Sequence, residues 1–96
     1  MLAAGKQYNK PMEVHIYSTN WCRDCRNAKQ FLDDHGIVYT ETNVDSDREA
    51  SAEVVRRVGK RAVPQLVIDG VWFQPYAPGQ GLLYDELYRR LGIPQE

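Results

Sequence analysis

Apolar and polar positions change their spacing along the chain, and each change predicts a secondary-structure element. The first apolar stretch, Glu13–Ser18, is rich in β-branched and aromatic residues and predicts a strand that is covered on both faces. Beyond Trp21 the spacing becomes helical, and Gly36 is typical of the residue that ends a helix. The apolar positions of this predicted helix are Cys25, Ala28, Phe31 and Leu32.

A second strand and a second helix are predicted in the middle of the chain. Residues Ile37–Thr42 have the composition of a strand. Ser46 and Glu49 then fit a capping box, in which each side chain bonds a free backbone N–H group at the helix start. Gly59 predicts the end of this helix. Its apolar face is predicted to carry Ala50, Val54 and Val58.

The C-terminal third predicts a β-hairpin, an irregular segment and a last helix. Strands Gln65–Asp69 and Val71–Gln74 meet at an Asp-Gly pair, which is typical of a two-residue hairpin turn. Two prolines predict irregular structure over residues 75–81. Gly92 is predicted to end the last helix. The apolar positions of that helix are Leu83, Leu87 and Leu91.

The element order β-α-β-α-β-β-α predicts an α/β fold, a three-layer sandwich with helices on both faces of one sheet. The first three strands alternate with helices, so we expect them to be parallel and joined by right-handed crossovers. The fourth strand is expected to pair antiparallel through the hairpin. Residues 1–12 predict a flexible N-terminal tail, and residues 13–96 predict a single domain.

Composition and charge narrow the classes of function. The chain has 96 residues and a net charge of −1, so we expect no overall attraction to nucleic acid or to an anionic membrane. No stretch approaches the roughly 20 apolar residues that a membrane span needs. Residues 1–11 also lack the apolar core of a signal peptide. These observations predict a cytoplasmic protein, and we expect it to be a monomer.

Both cysteines of the chain, Cys22 and Cys25, lie three positions apart in the stretch WCRDC. Such a pair can be a structural staple, half of a metal site or a redox couple. Structural disulfides are rare in the cytoplasm, and a bridge over so short a loop constrains the unfolded chain little. A structural zinc site needs four ligands, and only His15 and His35 remain, without the usual paired spacing. A Cys-x-x-Cys pair beside a βαβ pattern therefore favours redox chemistry.

The predicted helix start gives the two thiols different roles. Cys22 falls between the first strand and the first helix, where free backbone N–H groups and the helix dipole favour a thiolate. Cys25 lies one turn later on the same face, so it can attack a mixed disulfide on Cys22. We therefore expect Cys22 to be the nucleophile and Cys25 the resolving cysteine. Arg23 and Arg26 should stabilise the thiolate, and Asp24 should oppose it.

Residues 14–39, followed by 62–70, resemble a glutaredoxin of the thioredoxin-fold superfamily. The most specific elements are Tyr17, the Cys-x-x-Cys pair and the segment Val63-Pro64-Gln65. The Cys-x-Asp-Cys form also resembles mycoredoxin-like proteins. The resemblance implies a thioredoxin-like sandwich of the glutaredoxin type. It also implies a cis Pro64 that turns the backbone of Val63 toward an extended substrate.

The resemblance also implies where a substrate and a thiol would bind. Typical glutaredoxins carry a lysine where this chain has Thr19, and a Gly-Gly motif for glutathione that a longer segment replaces here. Gly79-Gln80-Gly81 is the nearest counterpart of that motif, and Lys60 and Arg61 are expected to meet a carboxylate. The predicted substrate-binding residues are Tyr17, Trp21, Arg23, Lys60, Arg61, Val63, Pro64, Gly79, Gln80 and Gly81.

Three aromatic residues are placed by position alone. Trp21 precedes the first cysteine on a loop and is predicted to form a wall of the binding groove. Trp72 and Phe73 point to opposite faces of a strand, so at least one should lie in the core. Tyr76 is expected to cover either the sheet edge or the site.

The leading hypothesis is a thiol–disulfide oxidoreductase that reduces protein or small-thiol disulfides. No bound cofactor is expected, and the reductant is expected to be glutathione, another low-molecular-weight thiol or a reductase. Two alternatives stay open. One is a metal-binding module in which two chains share an iron–sulfur cluster. The other is a non-catalytic interaction module with incidental cysteines.

Overall fold

The computed structural model describes residues 12–94, which form a central sheet with helices packed against it. The helices are α1 (Arg23–Asp34), α2 (Arg48–Val58) and α3 (Tyr84–Leu91). The strands are β1 (Val14–Ser18), β2 (Thr40–Asn43), β3 (Gln65–Ile68), β4 (Val71–Phe73), β5 (Tyr76–Ala77) and β6 (Gly81–Leu82). Apart from Met12, the predicted flexible tail lies outside the described residues. The tail and the domain boundary at residue 13 therefore stay predictions.

The four main strands lie in the order β2-β1-β3-β4. Strands β1 and β2 are parallel as predicted, but β3 runs antiparallel to β1, so the prediction of three parallel strands is wrong. The chain does not return to the start of β1 after α2. Instead, β3 begins at the opposite end, where Gln65 pairs with Tyr17. This direction brings the segment before Gln65 next to the loop that carries Cys22.

Neighbouring side chains of β4 show that helices cover both faces of the sheet. Phe73 is buried in the main core, and Cζ of Arg90 in α3 lies 4.5 Å from the centre of its ring. Trp72 points to the opposite face, where Cζ of Arg57 in α2 lies 5.4 Å from its ring centre. The predicted α/β three-layer sandwich is therefore confirmed. Within the described residues, none of the three helices has the length and apolar character of a membrane span.

The predicted start of α2 is wrong by one residue. The helix is capped by Asp47, whose carboxylate accepts the backbone N–H of Ala50 at 3.0 Å. Ser46 instead donates to the carbonyl of Asn43 at 3.3 Å, which closes the turn before the helix. The predicted capping box of Ser46 and Glu49 is absent because the serine is already used in that turn. The predicted end at Gly59 is confirmed, with a left-handed φ of 94°.

The second strand is shorter than predicted and begins at Thr40 rather than Ile37. Its first partner is His15, so residue 38 would have to pair with residue 13, which precedes β1. Val38 is accordingly 87% exposed.

The prediction of irregular structure over residues 75–81 is also wrong in part. The short strands β5 and β6 pair antiparallel, Tyr76 with Leu82 and Ala77 with Gly81. The turn between them is closed by a hydrogen bond from the Gln80 N–H to the Ala77 carbonyl at 3.0 Å. Gly79, within that turn, adopts a positive φ of 79° that favours glycine. The prolines of this segment lie outside the paired positions, so they do not prevent the ladder.

Candidate active site

Cys22 is the N-cap residue of α1. Its sulfur accepts the backbone N–H of Cys25 at 3.0 Å, which satisfies one of the free donors at the helix start. The side chain is half-buried, so part of it faces solvent. A thiolate at this cap would receive a charge-assisted hydrogen bond and the favourable end of the helix dipole. The local structure thus suits a negative charge on Cys22.

Cys25 lies one turn further along α1 and has no exposed surface. Burial, followed by a hydrogen bond with the thiol of Cys22, raises the pKa of Cys25 to about 12. A backbone hydrogen bond from Thr19 and the positive charge of Lys29 act in the opposite direction on this pKa. Both cysteines are free thiols. The pair therefore combines an accessible thiol with a buried one that stays protonated at neutral pH.

The segment before β3 forms one wall of the site. The Cys22 thiol donates to the carbonyl of Val63 at 3.8 Å, and the peptide bond from Val63 to Pro64 is cis, as the resemblance implied. Pro64 is buried, and Val63 is half-buried. The antiparallel direction of β3 is what carries this wall to the cysteine.

The β5–β6 ladder lies near the thiols on another side. Burial, and then the charges of Cys22, Cys25 and Asp24, raise the pKa of Tyr76. A β-carbon added to Gly81 would lie 3.9 Å from Oδ1 of Asp24. Tyr76 packs against the hydrophobic core, and its partner strand approaches α1 at Asp24, so the position near the site stays a prediction.

Two glutamines link these walls. Nε2 of Gln65, a side chain only 1% exposed, donates to the Ala62 carbonyl at 3.1 Å and to Oε1 of Gln74 at 3.0 Å. Nε2 of Gln74 donates in turn to the carbonyl of Tyr76 at 3.4 Å. A chain of amide hydrogen bonds thus runs from the residues before Pro64 to the β5–β6 ladder.

A layer of polar side chains lies beside the buried thiol. Lys29 of α1 and Ser18 at the end of β1 both donate to Oε2 of Glu41, at 2.8 and 2.6 Å. The hydrogen bond from Lys29, followed by that from Ser18, lowers the pKa of Glu41, and the bond to Glu41 raises the pKa of Lys29. Lys29 follows Cys25 by four residues, which places both on one face of α1.

Several predicted substrate-binding residues lie on the two segments that meet at Cys22, the start of α1 and the stretch before Val63. Trp21 is 84% exposed, and Arg23 and Lys60 are exposed side chains for which the described residues offer no ion-pair partner. Gly81 approaches Asp24 as described above, whereas Gly79 and Gln80 form the exposed turn beyond it.

Two of the predicted residues already have other partners. The guanidinium of Arg61 forms an ion pair with Asp45, and its Nε donates to Ser51 at 3.0 Å. The ring of Tyr17 stacks on that of Trp72, with centres 5.0 Å apart, on the face of the sheet toward α2. These contacts give both side chains a structural role, whatever they contribute to binding.

The two histidines considered as metal ligands are engaged elsewhere. The ring nitrogens of His15 contact the hydroxyl oxygens of Thr40 and Thr42 at 2.5 and 2.9 Å, and burial lowers its pKa. Nδ1 of His35 lies 2.8 Å from the Phe31 carbonyl at the end of α1. Across residues 12–94, no three His, Cys, Asp or Glu side chains gather as a metal-ligand set.

Comparison with known proteins identifies the family. The sequence model of the glutaredoxin family matches residues 14–73, more than half of the chain. The chain belongs to the glutaredoxin family. Glutaredoxins are thiol–disulfide oxidoreductases, and this glutaredoxin carries both thiols of a dithiol member.

Individual relatives agree with this assignment. A glutaredoxin of Pseudomonas aeruginosa is 42% identical over 55 residues, which cover 57% of this chain and 66% of that protein. The glutaredoxin-like protein NrdH of Lactococcus lactis subsp. cremoris is 33% identical over 67 residues, which cover 70% of this chain and 92% of that protein. Among solved structures, a mutant of the thioredoxin-like protein BC3987 superposes on this glutaredoxin with a TM-score of 0.71. The two are 25% identical, over 84% of this chain and 96% of the other.

Several residues of the site were not predicted. The glutamine pair could have been found, because the two-residue turn fixes the hairpin register and places Gln65 opposite Gln74. The contact of Lys29 with Glu41 gives no such signal, since it joins a helix to a strand across a loop.

Proposed function

We propose that this glutaredoxin reduces disulfides by a dithiol mechanism, with Cys22 as the nucleophile and Cys25 as the resolving cysteine. The observation that carries the proposal is the 3.0 Å hydrogen bond from the Cys25 N–H to the Cys22 sulfur at the start of α1. It supports a thiolate on the accessible cysteine. The buried position of Cys25 suits a thiol that reacts only after a disulfide has formed on its neighbour.

The first step is attack by the Cys22 thiolate on one sulfur of a substrate disulfide. A bond forms between Cys22 and that sulfur, the substrate S–S bond breaks, and the leaving thiolate takes a proton from solvent. Cys25 then loses its proton and attacks the Cys22 sulfur. The mixed disulfide breaks, the second substrate thiolate leaves with a proton, and the Cys22–Cys25 disulfide holds the oxidised state. The two electrons gained by the substrate come from the two cysteines.

A thiol or a reductase must then return two electrons to the Cys22–Cys25 disulfide. We propose glutathione or another low-molecular-weight thiol as the donor, in a reducing cytoplasm. The unpaired cations Arg23 and Lys60 support a donor that carries a carboxylate. The experiment is to offer the oxidised protein glutathione, other small thiols and thioredoxin reductase, and to measure by alkylation and mass spectrometry how fast the Cys22–Cys25 disulfide of the protein is reduced. If only the reductase is active, the small-thiol donor is wrong and the dithiol mechanism stands.

The mechanism itself is tested by reduction of a model disulfide with the wild type and with Cys22→Ser. We expect the variant to lose the activity completely. Equal activity of the two proteins would contradict the assignment of Cys22. The cluster-sharing alternative needs a second chain, because one chain supplies only two thiols. Ultraviolet–visible absorption and the native mass of the purified protein separate it from the proposal.

A further inference from the structure

Among the described residues, lysine and arginine side chains without an ion pair are concentrated on the two segments that meet at Cys22. Within residues 12–94, every Lys and Arg forms an ion pair except Arg23, Arg26, Arg48 and Lys60. Three of these four lie on the two segments that meet at the cysteine. Arg23 and Arg26 belong to the first turns of α1, and Lys60 precedes the Val63 wall.

We propose that these three cations, together with Trp21, form a docking surface for a protein disulfide whose flanking residues are acidic. We call this set, Trp21, Arg23, Arg26 and Lys60, the cationic rim. The proposal rests on the proposed function, because the rim lies on the two segments that meet at the same thiol. It adds the chemical class of the substrate, which the redox mechanism leaves undefined.

Charge complementarity is the first argument. Three exposed cations without carboxylate partners lie on the two segments that meet at Cys22, and the N-terminal end of α1 adds a partial positive charge. Asp24 is the opposing charge; it is half-buried and turned toward Gly81. The two arginines of the first turns of α1 outnumber this carboxylate, which leaves an excess of positive charge on the segment that carries Cys22. An excess of positive charge raises the association rate of an acidic partner and disfavours a basic one.

The exposed tryptophan is the second argument. Trp21 is 84% exposed, although tryptophan is a residue whose burial is strongly favourable. The other tryptophan, Trp72, is half-buried and stacked on Tyr17. Exposed tryptophan and arginine side chains around a reactive centre are the residue types that dominate binding energy in protein interfaces. A partner chain long enough to cross Cys22 could contact the cations on both segments and Trp21 at once.

The test uses three peptides that differ only in charge. Each carries one cysteine in a mixed disulfide with thionitrobenzoate, flanked by Glu, Gln or Lys residues. A single turnover of the reduced protein, which needs no external reductant, gives the second-order rate constant of thionitrobenzoate release, kcat/KM, for each peptide at low and at high salt. We expect kcat/KM for the acidic peptide to exceed that for the neutral peptide about tenfold at low salt. The difference should largely disappear at high salt.

The variant that removes the three charges is Arg23→Gln/Arg26→Gln/Lys60→Gln. Its acidic-to-neutral ratio of kcat/KM should fall to near one. The matched control is Arg48→Gln, which removes an equally unpaired cation at the start of α2 and should keep the wild-type ratio. A wild-type ratio near one, or the same ratio in the triple variant, would overturn the proposal.

Two further arms separate the possible failures. The mixed disulfide of glutathione with thionitrobenzoate tests a small acidic substrate. If the triple variant and high salt lower kcat/KM for this compound but not for the acidic peptide, protein docking is wrong. Cys22→Ser tests the proposed function. If the wild type reduces none of the peptides, the proposed function fails, whereas equal reduction of all three overturns only the cationic rim.

Discussion

The two thiols are three residues apart, but they lie in contrasting parts of the molecule. Cys22 caps α1, is half-buried and is followed on the helix by the exposed cations Arg23 and Arg26. Cys25 has no exposed surface, and burial raises its pKa to about 12. The two cysteines, one helical turn apart, therefore lie in different environments. The environment of Cys22 accommodates a negative charge, whereas that of Cys25 favours the protonated thiol. The spacing of the cysteines matters because it spans this boundary.

The contrast between the two sites changes during the reaction. Two of the effects that raise the pKa of Cys25 come from Cys22: its hydrogen bond and its negative charge. Both are removed when Cys22 enters a mixed disulfide, because its sulfur then carries no charge and no proton. Burial remains, opposed by the charge of Lys29. Formation of the mixed disulfide thus makes Cys25 easier to deprotonate when its thiolate is needed.

The largest effect is expected when the buried thiol of Cys25 is removed. In Cys25→Ser, the nucleophile can still attack, but nothing can resolve the mixed disulfide from within the chain. We expect resolution to slow by about a hundredfold or more, since an intramolecular attack gives way to a bimolecular one. Mass spectrometry of the protein after one turnover should show the substrate attached to Cys22. Release of substrate at the wild-type rate would contradict the assignment of Cys25.

The second prediction uses pH. Burial, the largest cause of the raised pKa of Cys25, remains in the mixed disulfide, so the thiol form dominates at neutral pH and the thiolate fraction grows as pH rises. We therefore expect the rate of resolution to increase by about tenfold per pH unit from pH 6 to pH 8. Stopped-flow measurement of the second thiol released gives this rate separately from the attack on the substrate. A rate that is constant over this range would show that burial does not control the step.

Much of this contrast could be predicted from the sequence, because it depends on local spacing. The distance from Cys22 to Cys25 and the helical pattern of Ala28 and Phe31 define an accessible cap and a buried second position. The direction of β3 could not be predicted in this way. Hydrophobic periodicity defines which face of a strand is buried but not which way the strand runs, so the rule for alternating elements gave the wrong answer.

The polar contacts of the site also divide into those that local spacing predicts and those that it does not. The pairing of Gln65 with Gln74 follows from a two-residue turn and is therefore local information. The contact of Lys29 with Glu41 depends on how α1 lies against β2, which no spacing along the chain specifies.

The cap of α2 was predicted one residue too early. Serine and aspartate are both good caps, and only the use of Ser46 in a turn decides in favour of Asp47.

The third prediction concerns the link between the walls. Gln74→Leu removes the acceptor of a nearly fully buried amide and frees the Tyr76 carbonyl from its partner. An unsatisfied buried polar group costs about 1–3 kcal/mol, so the free energy of unfolding should fall by that amount. Urea denaturation measures it, and Gln80→Leu, in the exposed turn, is the control. Equal stability of the two variants would mean that the amide chain contributes nothing.

The fourth prediction concerns Lys29, the cation whose charge acts on the buried thiol of Cys25. Lys29→Gln removes the positive charge that favours the Cys25 thiolate, so resolution should slow by roughly three- to tenfold at pH 7. The attack by Cys22 should be less affected, which single-turnover kinetics can establish. The matched control is Arg56→Gln on α2, which also loses a partly exposed ion pair, with Glu53. An equal loss in both variants would indicate a general effect on stability instead.

The smallest effect is expected at the boundary itself, where Asp24 lies between the two cysteines. Its carboxylate is half-buried in the first turn of α1 and should oppose the thiolate of Cys22 through like charge. Asp24→Asn keeps the shape and removes the charge, so Cys22 should be alkylated about two- to fivefold faster at pH 6. The rate of iodoacetamide modification, followed with Cys25→Ser as background, reports on Cys22 alone. An unchanged or slower rate would show that Arg23 and Arg26 already screen the carboxylate, and the charge balance at the cap would then be set by the arginines.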